Sequence, residues 1–141
     1  MKPRVTVVTL GVNDLEKAVA FYRDGLGWPT DGIVGQDLEN GAVAFFDLQN
    51  GVKLALWPQA SLAADSGLSA SGTNNPTAFS LGHNVNSKEE VDEAFSRAVR
   101  AGGASVVEPE TKVWGGYAGY FHDLDGHLWD VVWNPQLHVD D

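Results

Sequence analysis

"HDLDGHLWDVVWNP", residues 122–135, places two histidines, three aspartates and two tryptophans within fourteen positions. Such a stretch is either a metal site or a turn leading into a buried strand. Side chains alternate along a strand, so beyond Gly126 the residues Leu128, Asp130 and Val132 share one face, and His127, Trp129, Val131 and Trp133 share the other. On a regular strand His127 and Asp130 point to opposite sides and cannot hold one ion together. The run Asp123-x-Asp125-Gly126 looks like the start of a calcium loop but lacks the later acidic ligands of an EF-hand. A glycine-containing turn whose aspartates accept bonds from backbone amides accounts for it more simply. Asp130 is left as the acid on an otherwise apolar strand face.

The same pattern occurs earlier in the chain. "FFDLQNGVKLALWP" (45–58) matches "YFHDLDGHLWDVVWNP" (120–135): an apolar run, a polar turn ending in glycine, then an apolar strand closed by Trp and Pro. Gly51 and Gly126 are 75 residues apart. Each copy is preceded by a helix. In "GVNDLEKAVAFYRDGLG" (11–27), Asp14 is the N-cap, Leu15, Ala18, Val19, Tyr22 and Leu26 form the apolar stripe, and Gly25 and Gly27 stop it. In "NVNSKEEVDEAFSRAVRAGG" (84–103), Ser87 and Glu90 make a capping box, Val91, Ala94, Phe95, Ala98 and Val99 form the stripe, and Gly102–Gly103 end it. The Val-Asn pairs before the two caps, 12–13 and 85–86, are offset by 73 rather than 75, so two inserted residues reconcile the alignments.

The chain therefore reads as one domain, 1–141, built from a duplicated unit of strand, helix and three strands. The first module spans 1–60, a small polar linker with room for one helical turn spans 61–76, the second module spans 77–135, and 136–141 is a tail. Expected strands are "RVTVVTLG", "GWPTDGIVG", "GAVAFFDL" and "GVKLALWP" in the first module, the last two forming a hairpin over Asn50-Gly51. The second module offers "TAFSLGHNV", "ASVVEPETKVW", "GYAGYFHDL" and "HLWDVVW".

Composition narrows the function. A net charge of −10 argues against nucleic acid and against anionic membrane surfaces, and weakly favours a cationic ligand. With no cysteine, disulfides, thiolate catalysis, iron–sulfur clusters and cysteine-bound zinc are excluded. Neither a signal peptide nor a membrane-length apolar run is present, which makes the cytoplasm the expected compartment.

The tandem units, "FYRDGLGW" (21–28) closing the first helix, and the Asp-x-Asp-Gly turn before the last strand resemble the vicinal oxygen chelate superfamily of glyoxalases, bleomycin-resistance proteins and extradiol dioxygenases. The likeness covers nearly the whole chain, with Leu124 where the family's turn carries proline. The resemblance implies an α+β fold of two βαβββ modules whose curved sheets enclose a cavity, commonly in a homodimer. In the superfamily's enzymes a divalent metal is held by side chains from the first and last strands of each module. Counting seven residues back from each helix cap and four beyond each turn glycine transfers those positions to Val7, Ala55, Ser80 and Asp130. Valine and alanine offer no ligand atom, and serine is a poor ligand for Zn²⁺, Ni²⁺ or Fe²⁺. A slip of three residues would substitute His83 for Ser80. The expectation is a metal-free cavity with no cofactor, a divalent metal being the alternative.

Asp130 is the candidate catalytic residue, because burial on an apolar face would disfavour its charge and fit it for acid–base work or for anchoring a cationic or hydroxyl-bearing ligand. Backbone groups, Thr9 or Ser80 are the structural alternatives for satisfying it. Val7, Thr9, Ala55, Trp57, Ser80, Trp114, Tyr117 and Asp130 make up the expected ligand-binding set. Tyr120 belongs to the same aromatic segment, and Gly115, Gly116 and Gly119 leave room for a ligand or for close strand packing. Trp28 and Trp129 are assigned to packing. Two functions remain: a homodimeric protein binding a small apolar or aromatic molecule without metal, and a glyoxalase- or dioxygenase-like lyase or oxidoreductase acting on a small oxygenated compound through Asp130.

Overall fold

The computed structural model describes residues 1–69 and 79–141 of the chain. Two compact units, Met1–Asn74 and Asn75–Asp141, divide it. In the first, β1 (Val7–Val12), α1 (Leu15–Ala20), β2 (Thr30–Val34), β3 (Val43–Asp47), β4 (Lys53–Pro58) and α2 (Gln59–Ser66) follow in order. The second carries β5 (Leu81–Val85), α3 (Lys88–Arg100), β6 (Ala104–Thr111), β7 (Tyr117–His122) and β8 (Leu128–Trp133). Each unit is therefore a βαβββ module. Its four strands form one mixed sheet, ordered β1-β4-β3-β2 or β5-β8-β7-β6, with the first and last strands parallel and the other pairs antiparallel.

The two helices start alike and end differently. Asp14 accepts from the Lys17 amide at 3.1 Å, and Ser87 accepts from the Glu90 amide at 3.1 Å. The Glu90 carboxylate reaches the amide of Asn86 at 2.7 Å, one residue earlier than the cap itself. α3 continues regularly for 13 residues, whereas α1 passes after 6 residues into a π turn over Phe21–Gly25, closed by the Leu26 amide on the Phe21 carbonyl at 2.9 Å. The wider turn lets Phe21 and Tyr22, adjacent in sequence, both enter the core at 3% and 1% exposure. Left-handed glycines, Gly27 at φ 79° and Gly102 at φ 113°, follow the two ends. The offset between the modules is 73 at the caps and 75 at these glycines, so the two inserted residues are helical.

One face of the first sheet, carrying Leu10, Leu54, Leu56, Ala44 and Phe46, is buried with Ala18, Val19 and Tyr22 of the helix, and Tyr22 meets Phe46 at 6.0 Å. In the second module Val91, Phe95 and Ala98 of α3 are buried with Trp129, Val131 and Phe121, the last stacked on Trp129 at 6.2 Å. Burying such side chains contributes about 1.5–3 kcal/mol each before entropy is counted.

Some sequence expectations shift. β1 begins at Val7 rather than Arg4 because its partner β4 begins at Lys53, although the Lys53 amide still bonds the Thr6 carbonyl at 2.8 Å. α2, a helix of 8 residues, starts at Gln59, two residues before the expected linker, and occupies the linker's first part. Positions 70–76 of that linker, and 77–78 of the expected first strand of module two, lie outside the described residues. Among the described residues no helix is long and apolar enough to cross a membrane.

Candidate functional site

The strand registers place each candidate on a definite face. In the first module Thr9 pairs with Ala55, which pairs with Phe45; in the second, Gly82 pairs with Asp130, which pairs with Tyr120. These are equivalent rows, on the sheet faces turned away from α1 and α3. Val7 shares the first face two residues before Thr9 and is 44% exposed. Ala55 is buried. Trp57, two residues beyond Ala55, donates its indole N–H to the Asn40 carbonyl at 2.9 Å, which ties it to the 35–41 loop. Ser80 is exposed and precedes β5, with the parity of Gly82.

Around Asp130 the second sheet forms a pocket of about 460 Å³, lined by Glu110, Thr111, Lys112, Val113, Trp114, Ala118, Tyr120, Asp130 and Val132. Trp114 and Asp130, two of the expected set, are thus brought together. Burial pushes the Asp130 carboxyl above its ordinary value, offset in part by its own backbone amide. Among the described residues no side chain bonds that carboxylate, Ser80 included. Gly82 is exposed, and a Cβ there would be in ordinary contact, 3.4 Å from Asp130 Oδ1 and 3.8 Å from Asn84 Oδ1, so the missing side chain leaves room for a small group beside the acid.

Tyr117 does not join this pocket. It lies on the α3 side, where its hydroxyl donates to Asp92 at 2.7 Å and the Lys88 ammonium lies 5.7 Å from its ring centroid. The bond to Asp92 raises its phenol above the ordinary value. His83 pairs with Val131 and therefore also faces away from Asp130; burial lowers its imidazole below the usual range. Two glycines of the 115–119 segment serve close packing, whereas Gly115 takes a left-handed turn at φ 98°. A Cβ on Gly116 would lie 2.0 Å from the Trp114 ring, and one on Gly119 would lie 2.9 Å from Pro109 N.

Glu110, Lys112 and Tyr120 line the pocket but are absent from the sequence-derived binding set, as is Gly82, which adjoins Asp130 on the neighbouring strand. Alternation along β6, continued one residue past its end at Thr111, could have found the first two, but β6 changes register twice against β7, between Ser105 and Val107 and again between Val107 and Glu110. Gly82 became visible only through its pairing with Asp130.

The stretch 122–127 closes as a turn. Asp123, 5% exposed, accepts from the amides of Asp125 and His127 at 2.9 Å each, and its other oxygen lies 2.7 Å from His127 Nδ1. The potential ligand atoms of Asp123, Asp125 and His127 lie within 4.8 Å of one another, a spacing compatible with a cation, but both Asp123 oxygens already organise the turn.

The strand faces do not fit a transition metal. Val7, Thr9, Ala55 and Trp57 in the first module present neither imidazole nor carboxylate, and in the second Gly82 and Asn84 stand where a partner for Asp130 would be needed. One carboxylate and an amide on these strands are a weak donor set for such an ion, and the pocket's other carboxylate, Glu110, is paired with Lys112.

Comparison with known proteins places this geometry. Residues 4–131 match the family model described as Glyoxalase/Bleomycin resistance protein/Dioxygenase superfamily. A glyoxalase-related enzyme from Fulvimarina pelagi shares 34% identity, superposes with a TM-score of 0.82, and is matched over 98% of this chain and 93% of its own. A hypothetical protein from S. aureus shares 27% over 95% of both chains, with a TM-score of 0.77. A genomically encoded fosfomycin resistance protein from Listeria monocytogenes, at 24% identity over 95% of both chains and a TM-score of 0.68, shares the fold. No functionally curated protein matches the sequence.

Proposed function

The chain belongs to the Glyoxalase/Bleomycin resistance protein/Dioxygenase superfamily, and on that footing we propose that it binds a small apolar or aromatic molecule in the pocket around Asp130, without a resident transition metal. The row Gly82–Asp130–Tyr120 carries this reading: it offers an acid, an open notch and an aromatic wall, but no second strong metal ligand. A concave site of a few hundred Å³, mostly apolar with a few polar groups, suits a small ligand. Elemental analysis of purified protein is the test, with substoichiometric Ni, Zn, Fe and Mn expected. Stoichiometric metal that disappears in Asp130→Ala would overturn the metal-free reading.

A second reading has its own support in the raised Asp130 carboxyl. A carboxyl whose proton affinity is raised by burial is suited to exchange a proton with a bound substrate, which would make the protein a lyase or oxidoreductase acting on a small oxygenated compound. Turnover abolished in Asp130→Asn while ligand binding persists would favour it. We also propose a homodimer, supported by the exposed Val7, Val34 and Phe45 of the first module. Sedimentation at the 15.1 kDa of one chain at micromolar concentration would contradict that.

A further inference from the structure

Three charged side chains line the Asp130 pocket, and two of them answer each other. Lys112 Nζ lies 2.8 Å from Glu110 Oε1 and 5.9 Å from the centroid of the Tyr120 ring. The lysine is the more enclosed partner, its side chain 20% exposed against 60% for Glu110. Its charge is thus already engaged by a carboxylate and an aromatic face. Asp130 has no ion-pair or side-chain hydrogen-bond partner among the described residues, and the notch at Gly82 opens beside its Oδ1. The charge that the pocket leaves unanswered is therefore negative. Apolar surface from Trp114, Ala118 and Val132 adjoins it.

We propose that the pocket selects a protonated amine carried on a small apolar or aromatic body, with the ammonium seated against Asp130 in the space beside Gly82 and the body against Trp114, Ala118 and Val132. This rests on the reading of the pocket as a small-molecule site and names the chemical class it takes. An ammonium supplies the counter-charge that the carboxylate lacks, and a charge-assisted hydrogen bond is roughly twice as strong as a neutral one. An alcohol supplies a donor without the charge. A carboxylate ligand would set a like charge against Asp130, with only the already paired Lys112 to offset it. The chain's net charge of −10 acts in the same direction at long range, raising the local concentration of cations.

Three probes sharing a phenyl body separate the possibilities: 2-phenylethylamine, 2-phenylethanol and 3-phenylpropanoate. Each is titrated at neutral pH into the intact protein and followed by NMR at the Trp114 indole and Val132 methyl resonances. The amine is expected to bind at least about tenfold more tightly than the alcohol, the carboxylate more weakly than either. In Asp130→Asn, which keeps the side-chain shape, the amine should fall to the level of the alcohol. In Gly82→Val the notch is filled, and amine binding should weaken by about thirtyfold while the protein stays folded. Amine and alcohol binding equally in the wild type, or an amine preference that survives Asp130→Asn, would overturn the inference and leave the pocket standing as an apolar site. Failure of all three probes to shift the pocket resonances would overturn both the inference and the binding reading beneath it.

Discussion

Thr9, Ala55 and Phe45 in one module, and Gly82, Asp130 and Tyr120 in the other, occupy the same three places of the same sheet. Around these rows the frames agree closely. Both helices begin on a side-chain cap, both end before a left-handed glycine, and both closing hairpins share one backbone bond, Leu48 amide to Val52 carbonyl at 2.8 Å and Asp123 amide to His127 carbonyl at 3.0 Å. Within the rows they part. The first module's row holds a threonine, a phenylalanine and the buried Ala55, with no charged group, while α2 closes the neighbouring end, where Gln59 Cγ would lie 3.0 Å from a Cβ on Gly11. The second removes one side chain, adds an acid and adds a phenol. The repeat is thus a shared frame, and the proposed binding function draws on three positions of one copy.

That contrast can be broken most forcefully at the hairpins. Asp123→Ala should destabilise the protein by about 3 kcal/mol, because it strips two amides and an imidazole of their buried acceptor. Leu48→Ala, at the matching place, should cost only about 1 kcal/mol, since Asn50 at φ 62° and Gly51 at φ 77° shape that turn through the backbone. Urea denaturation measures both, and equal losses would show that the turns are held in the same way. Next in size is the row itself. Gly82→Val should weaken 2-phenylethylamine by about thirtyfold, roughly 2 kcal/mol, while Thr9→Val leaves its affinity unchanged. Equal effects at the two positions would erase the functional asymmetry.

The helix caps should behave symmetrically. Asp14→Ala and Ser87→Ala are each expected to cost about 1 kcal/mol in thermal or chemical denaturation. A loss several times larger at one of them would mean that its helix carries more than scaffold. The smallest effect concerns Asp130 and depends on pH. Its folded-state value lies above the ordinary 3.8, so the native protein holds the proton more tightly than the unfolded chain, and stability falls as pH rises through the interval between the two. Asp130→Asn escapes that loss. Its stability relative to wild type should therefore improve from acid toward neutral pH and then level off. An advantage that shrinks as pH rises would contradict burial as the cause.

The fold was legible in the sequence because caps, stop glycines and the Asn-Gly and Asp-x-Asp-Gly turns are local signals, and their repetition at offsets of 73 and 75 fixed the module frame. The π turn after Ala20 was not legible, because the stripe Leu15, Ala18, Val19, Tyr22 fits an uninterrupted helix equally well. Of the site, Asp130 and Trp114 could be read from strand parity and from the aromatic hairpin. Tyr117 reads as a pocket wall because it is an aromatic next to glycines, whereas its position on the α3 side, bonded to Asp92, depends on a helix residue 25 positions upstream. Glu110 and Lys112 were hidden by the two register shifts of β6, which break the alternation on which face assignments rest.

Gly116 carries a consequence for how the site can change. The Trp114 ring occupies the space that any other residue at 116 would claim with its first carbon. The indole is thus held in its place by the absence of an atom behind it, at a position that does not itself line the pocket. One added methyl would evict the ring and redraw the wall without touching a ligand. Selection for a new ligand shape could therefore act at the back of the hairpin and leave Asp130 as it is.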